Sequence, residues 1–130
     1  MMKVLWFSEK AEVDGPLYAN LIRVFDIVPF GFDSLAAVLE LCAIYEPDLI
    51  VIDPCGQKDF DSGCIEGIKQ GLPDIKICII TCDTNHLLPK KARASGADLV
   101  VFETIPPEEF MQLLEYSKSH YRAFPKEGPE

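Results

Sequence analysis

The chain has 130 residues, and 12 basic against 21 acidic side chains leave a net charge of −9. Hydrophobic residues make up 48%, enough for one core of ordinary domain size, which excludes collagen-like, mucin-like and wholly disordered chains. No apolar run exceeds five residues, too few for a membrane-spanning helix or a signal-peptide core, and a pI near 4.6 disfavours non-specific binding to nucleic acid.

The predicted elements alternate along the chain. Lys3-Val4-Leu5-Trp6-Phe7 reads as a short buried strand, followed by the polar Ser8-Glu9-Lys10. Pro16 opens a helix with Leu17, Leu21, Ile22 and Phe25 on one predicted face. Ile27 to Phe30 is a second strand, which Pro29 assigns to a sheet edge. Asp33 or Ser34 can cap the next helix, which carries Leu35, Val38, Leu39 and Cys42 at helical spacing and stops at Pro47. Leu49 to Ile52 is apolar on both faces, as a central parallel strand requires.

A loop marked by Gly56, Asp59, Asp61 and Gly63 leads to a short helix with Ile65 and Ile68, ending at Gly71. Ile75 to Ile80 is the fourth strand. Leu87 to Ser95 is a helix with Pro89 in its first turn and Gly96 as its C-terminal cap. Leu99 to Phe102 is the fifth strand. Pro106-Pro107-Glu108-Glu109 then starts a last helix, with carboxylates at its positive end and Phe110, Leu113 and Leu114 facing inward. Two prolines, a glycine and little apolar content mark residues 123–130 as a loose tail after a domain over 1–122.

Five strand–helix alternations imply an α/β domain with a parallel sheet covered by helices on both faces. Functional groups in such sheets gather beyond the carboxyl ends of the strands. Ser8, Glu9 and Lys10, Asp53, Thr81 and Glu103 occupy those positions.

The cysteines are Cys42, Cys55, Cys64, Cys78 and Cys82. An odd number without a secretion signal implies free thiols in a reducing cytoplasm, with Cys42 and Cys78 as small core hydrophobes. Cys55 and Cys64 lie nine positions apart, which fits no common zinc template.

Pro47-Asp48-Leu49-Ile50-Val51-Ile52-Asp53, Ile75 to Thr81, and Gly96-Ala97-Asp98 running on to Pro107-Glu108-Glu109-Phe110 are informative by their order and spacing. Together they resemble the response-regulator receiver domain of two-component signalling, over nearly the whole chain. The resemblance implies a flavodoxin-like, doubly wound five-stranded sheet of order 2-1-3-4-5. It implies that Asp53 is the phosphoacceptor, that the Thr81 hydroxyl contacts the phosphoryl group, and that Glu9 and Asp53 hold Mg²⁺ weakly. It also implies a histidine kinase or another signalling protein as partner, and an output face around the fourth helix that includes Lys90, Lys91 and Arg93. The expected module is not an enzyme, and engages neither nucleic acid nor membrane.

Several positions depart from the family pattern. Ser8 and Glu9 stand where a pair of acidic residues is usual, Glu103 where a lysine is usual, and Thr104 where a proline follows it. Val100 occupies the aromatic switch position, and Cys82 that of a small residue. These departures describe an atypical receiver with a degenerate pocket. The alternative is a small-molecule-binding protein or enzyme on the same fold. Against it, Ser8 to Asp14 contains no glycine to cradle a phosphate.

Overall fold

The structure is a computed structural model and describes residues 2–8, 16–23, 25–31, 34–54, 63–81, 88–102 and 104–120, with the backbone alone at 16, 17, 88 and 116–120. Ten elements follow in strict alternation: β1 (Lys3–Ser8), α1 (Pro16–Leu21), β2 (Asp26–Gly31), α2 (Leu35–Tyr45), β3 (Leu49–Asp53), α3 (Gly63–Gly71), β4 (Lys76–Thr81), α4 (Leu88–Ala94), β5 (Leu99–Phe102) and α5 (Pro107–His120). The strands form one parallel sheet of order β2-β1-β3-β4-β5. Pro29 lies in β2, an edge strand, where a missing N–H is tolerated.

Strand alternation divides the core into two layers. Leu5, Phe7, Ile50, Ile52, Ile77 and Ile79 pack with Val38 and Cys42 of α2, Ile65 and Ile68 of α3, and Ala92 of α4. Val4, Trp6, Leu49, Val51, Cys78 and Ile80 face the other way, onto Leu21 of α1 and Phe110 and Leu114 of α5. Each Val, Leu, Ile or Phe side chain among them contributes about 1.5–3 kcal/mol when withdrawn from water. The three central strands are therefore sandwiched, which is why they read as unbroken apolar runs.

Local chemistry sets the helix ends. Ser34 accepts a hydrogen bond from Ala37 N at 3.1 Å and caps α2. Glu46, at φ 49°, closes α2 one residue before Pro47. At the end of α4, Ala97 N donates to Ala92 O at 3.0 Å and Gly96 N to Arg93 O at 3.1 Å. That paired closure needs a residue at positive φ, and Gly96 supplies it at 113°. In the helix–helix contact of α3 with α2, Gly67 and Gly71 leave room for Leu35 and Leu39; a Cβ at Gly67 would sit 2.6 Å from Leu35 Cδ2.

The amino ends of the strands are stapled by side chains. Asp48 Oδ2 accepts from Lys3 N at 2.9 Å, joining β1 to the start of β3. Asp98 Oδ2 accepts from Ile77 N at 2.9 Å and from Lys69 Nζ at 2.8 Å, while Lys69 Nζ also donates to Ile75 O at 2.5 Å. One lysine thus ties α3 to both β4 and the turn into β5.

The sequence placed Ile22 on the buried face of the first helix. In the structure α1 ends at Leu21, and Ile22 is 48% exposed in the turn that follows. Phe25 does pack against the α1 and α5 layer. Asp33, Cys55, Cys82 and the tail at 123–130 lie outside the described residues.

Cys42, Cys64 and Cys78 are free thiols. Burial pushes the Cys42 thiol up to about 11; burial, with a smaller contribution from the Asp98 carboxylate, pushes Cys78 up further. A raised thiol pKa leaves almost no thiolate at pH 8, so both should react slowly with a disulfide reagent in the native protein. Titration with such a reagent should therefore leave Cys42 and Cys78 unreacted until denaturant is added, when all five cysteines should count. Rapid reaction of all five in folded protein would contradict the packing of β4 and α2. For Gly96→Ala, the added Cβ both strains the backbone and approaches Lys69 Cγ at 3.2 Å. Urea unfolding followed by the emission of Trp6, the only tryptophan, should show a loss of about 1–3 kcal/mol.

Candidate functional site

Everything polar at the carboxyl edge of the sheet begins where the apolar runs stop. In β3 the residues Leu49 to Ile52 are buried, and Asp53 is the first to bear a charge, half-buried at the strand's last position. Ser8 ends β1 in register with Asp53, and Gly31 of β2 lies beside Ser8. Adjacent strands run about 4.8 Å apart, so the Ser8 hydroxyl and the Asp53 carboxylate are immediate neighbours. By alternation both leave the sheet on the α1 and α5 side, in line with Trp6 and Val51.

Thr81 ends β4 and is fully buried, the one polar residue in the core among the described residues. The β3–β4 register pairs Ile52 with Ile79, so Thr81 stands one residue higher than Asp53 on the neighbouring strand. One strand spacing and one residue rise put the two Cα atoms about 6 Å apart. Thr81 in turn is in register with Phe102, which is 50% exposed at the end of β5. The structure thus brings Ser8 and Asp53 together on one face of the sheet's carboxyl edge, while Thr81, in line with Ile77 and Ile79, ends β4 at the same edge on the α2–α4 side.

Glu9, Lys10 and Glu103 lie outside the described residues. Val100, at the position where a receiver carries its aromatic, is partly buried against the α2–α4 layer, while the aromatic ring of this strand is Phe102, two residues later. Sequence reasoning passed over Phe102 because an apolar residue ending a strand reads as core. Lys90, Lys91 and Arg93 are all exposed on α4, whose buried contact is Ala92. The cations therefore form a solvated face on the same side of the sheet as α2 and α3.

A hard divalent cation prefers several carboxylate oxygens. Among the described residues no three His, Cys, Asp or Glu side chains stand together as a metal site. Among the described residues the strand ends supply one carboxylate, Asp53, with the Ser8 hydroxyl beside it on β1. The described part of the site does not by itself fit Mg²⁺.

No protein-family model matches the sequence, and no curated protein does. Solved structures do. A CheY-like protein, TadZ, from Pseudomonas aeruginosa PAO1 superposes with a TM-score of 0.67 at 17% identity, covering 89% of this chain and 92% of that one. FixJ-N gives 0.70 at 14% identity, covering 92% and 95%. A response regulator protein from Burkholderia pseudomallei, solved with a phosphorylated aspartic acid, calcium ion and citrate, gives 0.67 at 18%, covering 95% and 72%. The chain has the CheY-like receiver fold. Its strand order and its two-sided helical cover are those of that flavodoxin-like architecture.

Proposed function

We propose that this receiver-fold domain is a signalling module of a two-component phosphorelay, acting through protein–protein contact rather than catalysis. The observation that carries the reading is Asp53 at the carboxyl end of the central strand, in register with Ser8 of β1 and one residue below Thr81, the last residue of β4. A strand-end carboxylate can attack a phosphoryl donor to form an acyl phosphate, and a neighbouring hydroxyl can donate to a phosphoryl oxygen. The module works in the cytoplasm, as one domain over residues 1–122. Its partner is a histidine kinase or another signalling protein, and Lys90, Lys91 and Arg93 supply a basic face for docking.

The pocket is degenerate in this reading. An acyl phosphate adds close to two negative charges at neutral pH. A second carboxylate about 5 Å away repels each of them by about 3 kcal/mol at an effective dielectric near 20. Glu103 occupies the position of a neutralising lysine, and with Ser8 at the other position Glu9 alone replaces the usual acidic pair that would hold Mg²⁺ with Asp53. Both substitutions act in the same direction, against a stable phosphorylated state.

The test compares wild type with Glu103→Lys and with Glu103→Lys combined with Ser8→Asp, each incubated with acetyl phosphate and Mg²⁺ and read by intact mass. The wild type should label slowly and incompletely, and the substituted chains several-fold faster, in every case at Asp53. Stoichiometric labelling of wild-type Asp53 within minutes would overturn the degenerate pocket. Failure of the doubly substituted chain to label at all would overturn the receiver-type site itself.

A further inference from the structure

Helix α2 is almost without charge: of its 11 residues, LAAVLELCAIY, Glu40 alone is ionisable at neutral pH. A helix that is apolar all round is normally covered all round. This one is covered on little more than half of its circumference. Val38 and Cys42 are buried in the core, and Leu35 and Leu39 close onto Gly67 and Gly71 of α3. On the outer face Ala36, Glu40, Ala43 and Ile44 are exposed. Their spacing of i, i+4, i+7 and i+8 makes one continuous stripe along the helix. Ile44, at 67%, is the most exposed large hydrophobic among the described residues. Two alanines on the stripe let another helix approach closely, and Ile44 gives it an anchor to enclose.

Charge decides what can lie there. Glu40 sits within the stripe, and the exposed Glu46 and Asp48 follow its carboxyl end, on a chain of net charge −9. A second copy related by a two-fold axis would bring this same set of acids against itself, which disfavours self-association. A partner with apolar residues at helical spacing and basic residues beside them meets both features of the face. We infer that the outer face of α2 docks a helix of another protein whose apolar stripe is flanked by lysine or arginine. This surface is separate from Asp53 and does not depend on phosphorylation.

The probe is a synthetic amphipathic leucine–lysine helical peptide, with a leucine–glutamate peptide of the same pattern as its control. Binding is followed by fluorescence anisotropy and mapped by amide chemical shifts on the full chain. The leucine–lysine peptide should bind at physiological salt and the control should not, with shifts concentrated on Ala36 to Tyr45. Ile44→Asp should weaken binding at least about tenfold, although it makes the chain more acidic, and Glu40→Lys should do the same. Ile22→Asp, an equal charge change at the exposed residue beyond α1, should leave affinity within about twofold. Circular dichroism of both α2 variants checks that they fold, and Glu40→Lys carries the test if Ile44→Asp does not. Three results would each overturn the inference: shifts scattered over the acidic surface, equal losses in Ile22→Asp, or a dimer in sedimentation that Ile44→Asp dissolves.

Discussion

Burial of β3 on both faces is the constraint from which the rest of the architecture follows. Ile50 and Val51 have no exposed surface, and Leu49 and Ile52 almost none. A strand in that situation cannot carry a polar side chain except at its ends, and it needs helices above and below. The β–α alternation supplies those helices, and parallel pairing with β1 and β4 satisfies the backbone. Chemistry is thereby confined to the strand ends. Asp53 is where it is because position 53 is the first in the strand that water can reach.

The two ends of the sheet have different work. At the amino end, carboxylates serve the backbone: Asp48 accepts from Lys3 N, and Asp98 from Ile77 N and Lys69 Nζ. The Lys69–Asp98 pair is partly exposed, where an ion pair alone contributes only about 0–1 kcal/mol; its backbone bonds matter more, because they fix where β4 and β5 begin. At the carboxyl end, Ser8, Asp53 and Thr81 terminate strands whose register is already set by the apolar residues below them. Ser8 and Asp53 are only partly buried, so substitutions at those two positions can alter chemistry with little effect on the fold. The same separation allows structures at 14–18% identity to share this architecture.

Much of this was legible in the sequence because the strands are apolar on both faces and the punctuation is strong. Pro29 marked an edge strand, Gly71 and Gly96 marked helix ends, and Asp33 or Ser34 marked a cap that the structure assigns to Ser34; each reports a backbone requirement that few other residues meet. The strand ends were legible for the same reason, since Ser8, Asp53 and Thr81 interrupt apolar runs. Ile22 was misplaced because the apolar periodicity continues past Leu21 after the helix itself has stopped. The outer face of α2 was invisible for a related reason: in a helix with ten uncharged residues, periodicity cannot separate the buried side from the exposed one. Phe102 was likewise hidden, because hydropathy says nothing about a strand's last side chain emerging beyond its neighbours.

Fold alone does not choose between a signalling module and a ligand-binding protein, since one architecture hosts both. The strand ends bear on that choice. A nucleotide or flavin phosphate is usually held by successive backbone N–H groups in a glycine-rich turn after the first strand, where side chains would block close approach. Here β1 ends in Ser8, the next six residues contain no glycine, and the glycine beside Ser8 belongs to the edge strand β2. What lies at the centre is instead an anionic side chain, Asp53, which would repel a phosphate already bearing its full charge but can accept a phosphoryl group in transfer. A carboxylate at this point favours covalent acceptance over non-covalent cradling. In the proposed reading, the departures at Ser8 and Glu103 would act on how long such a group persists.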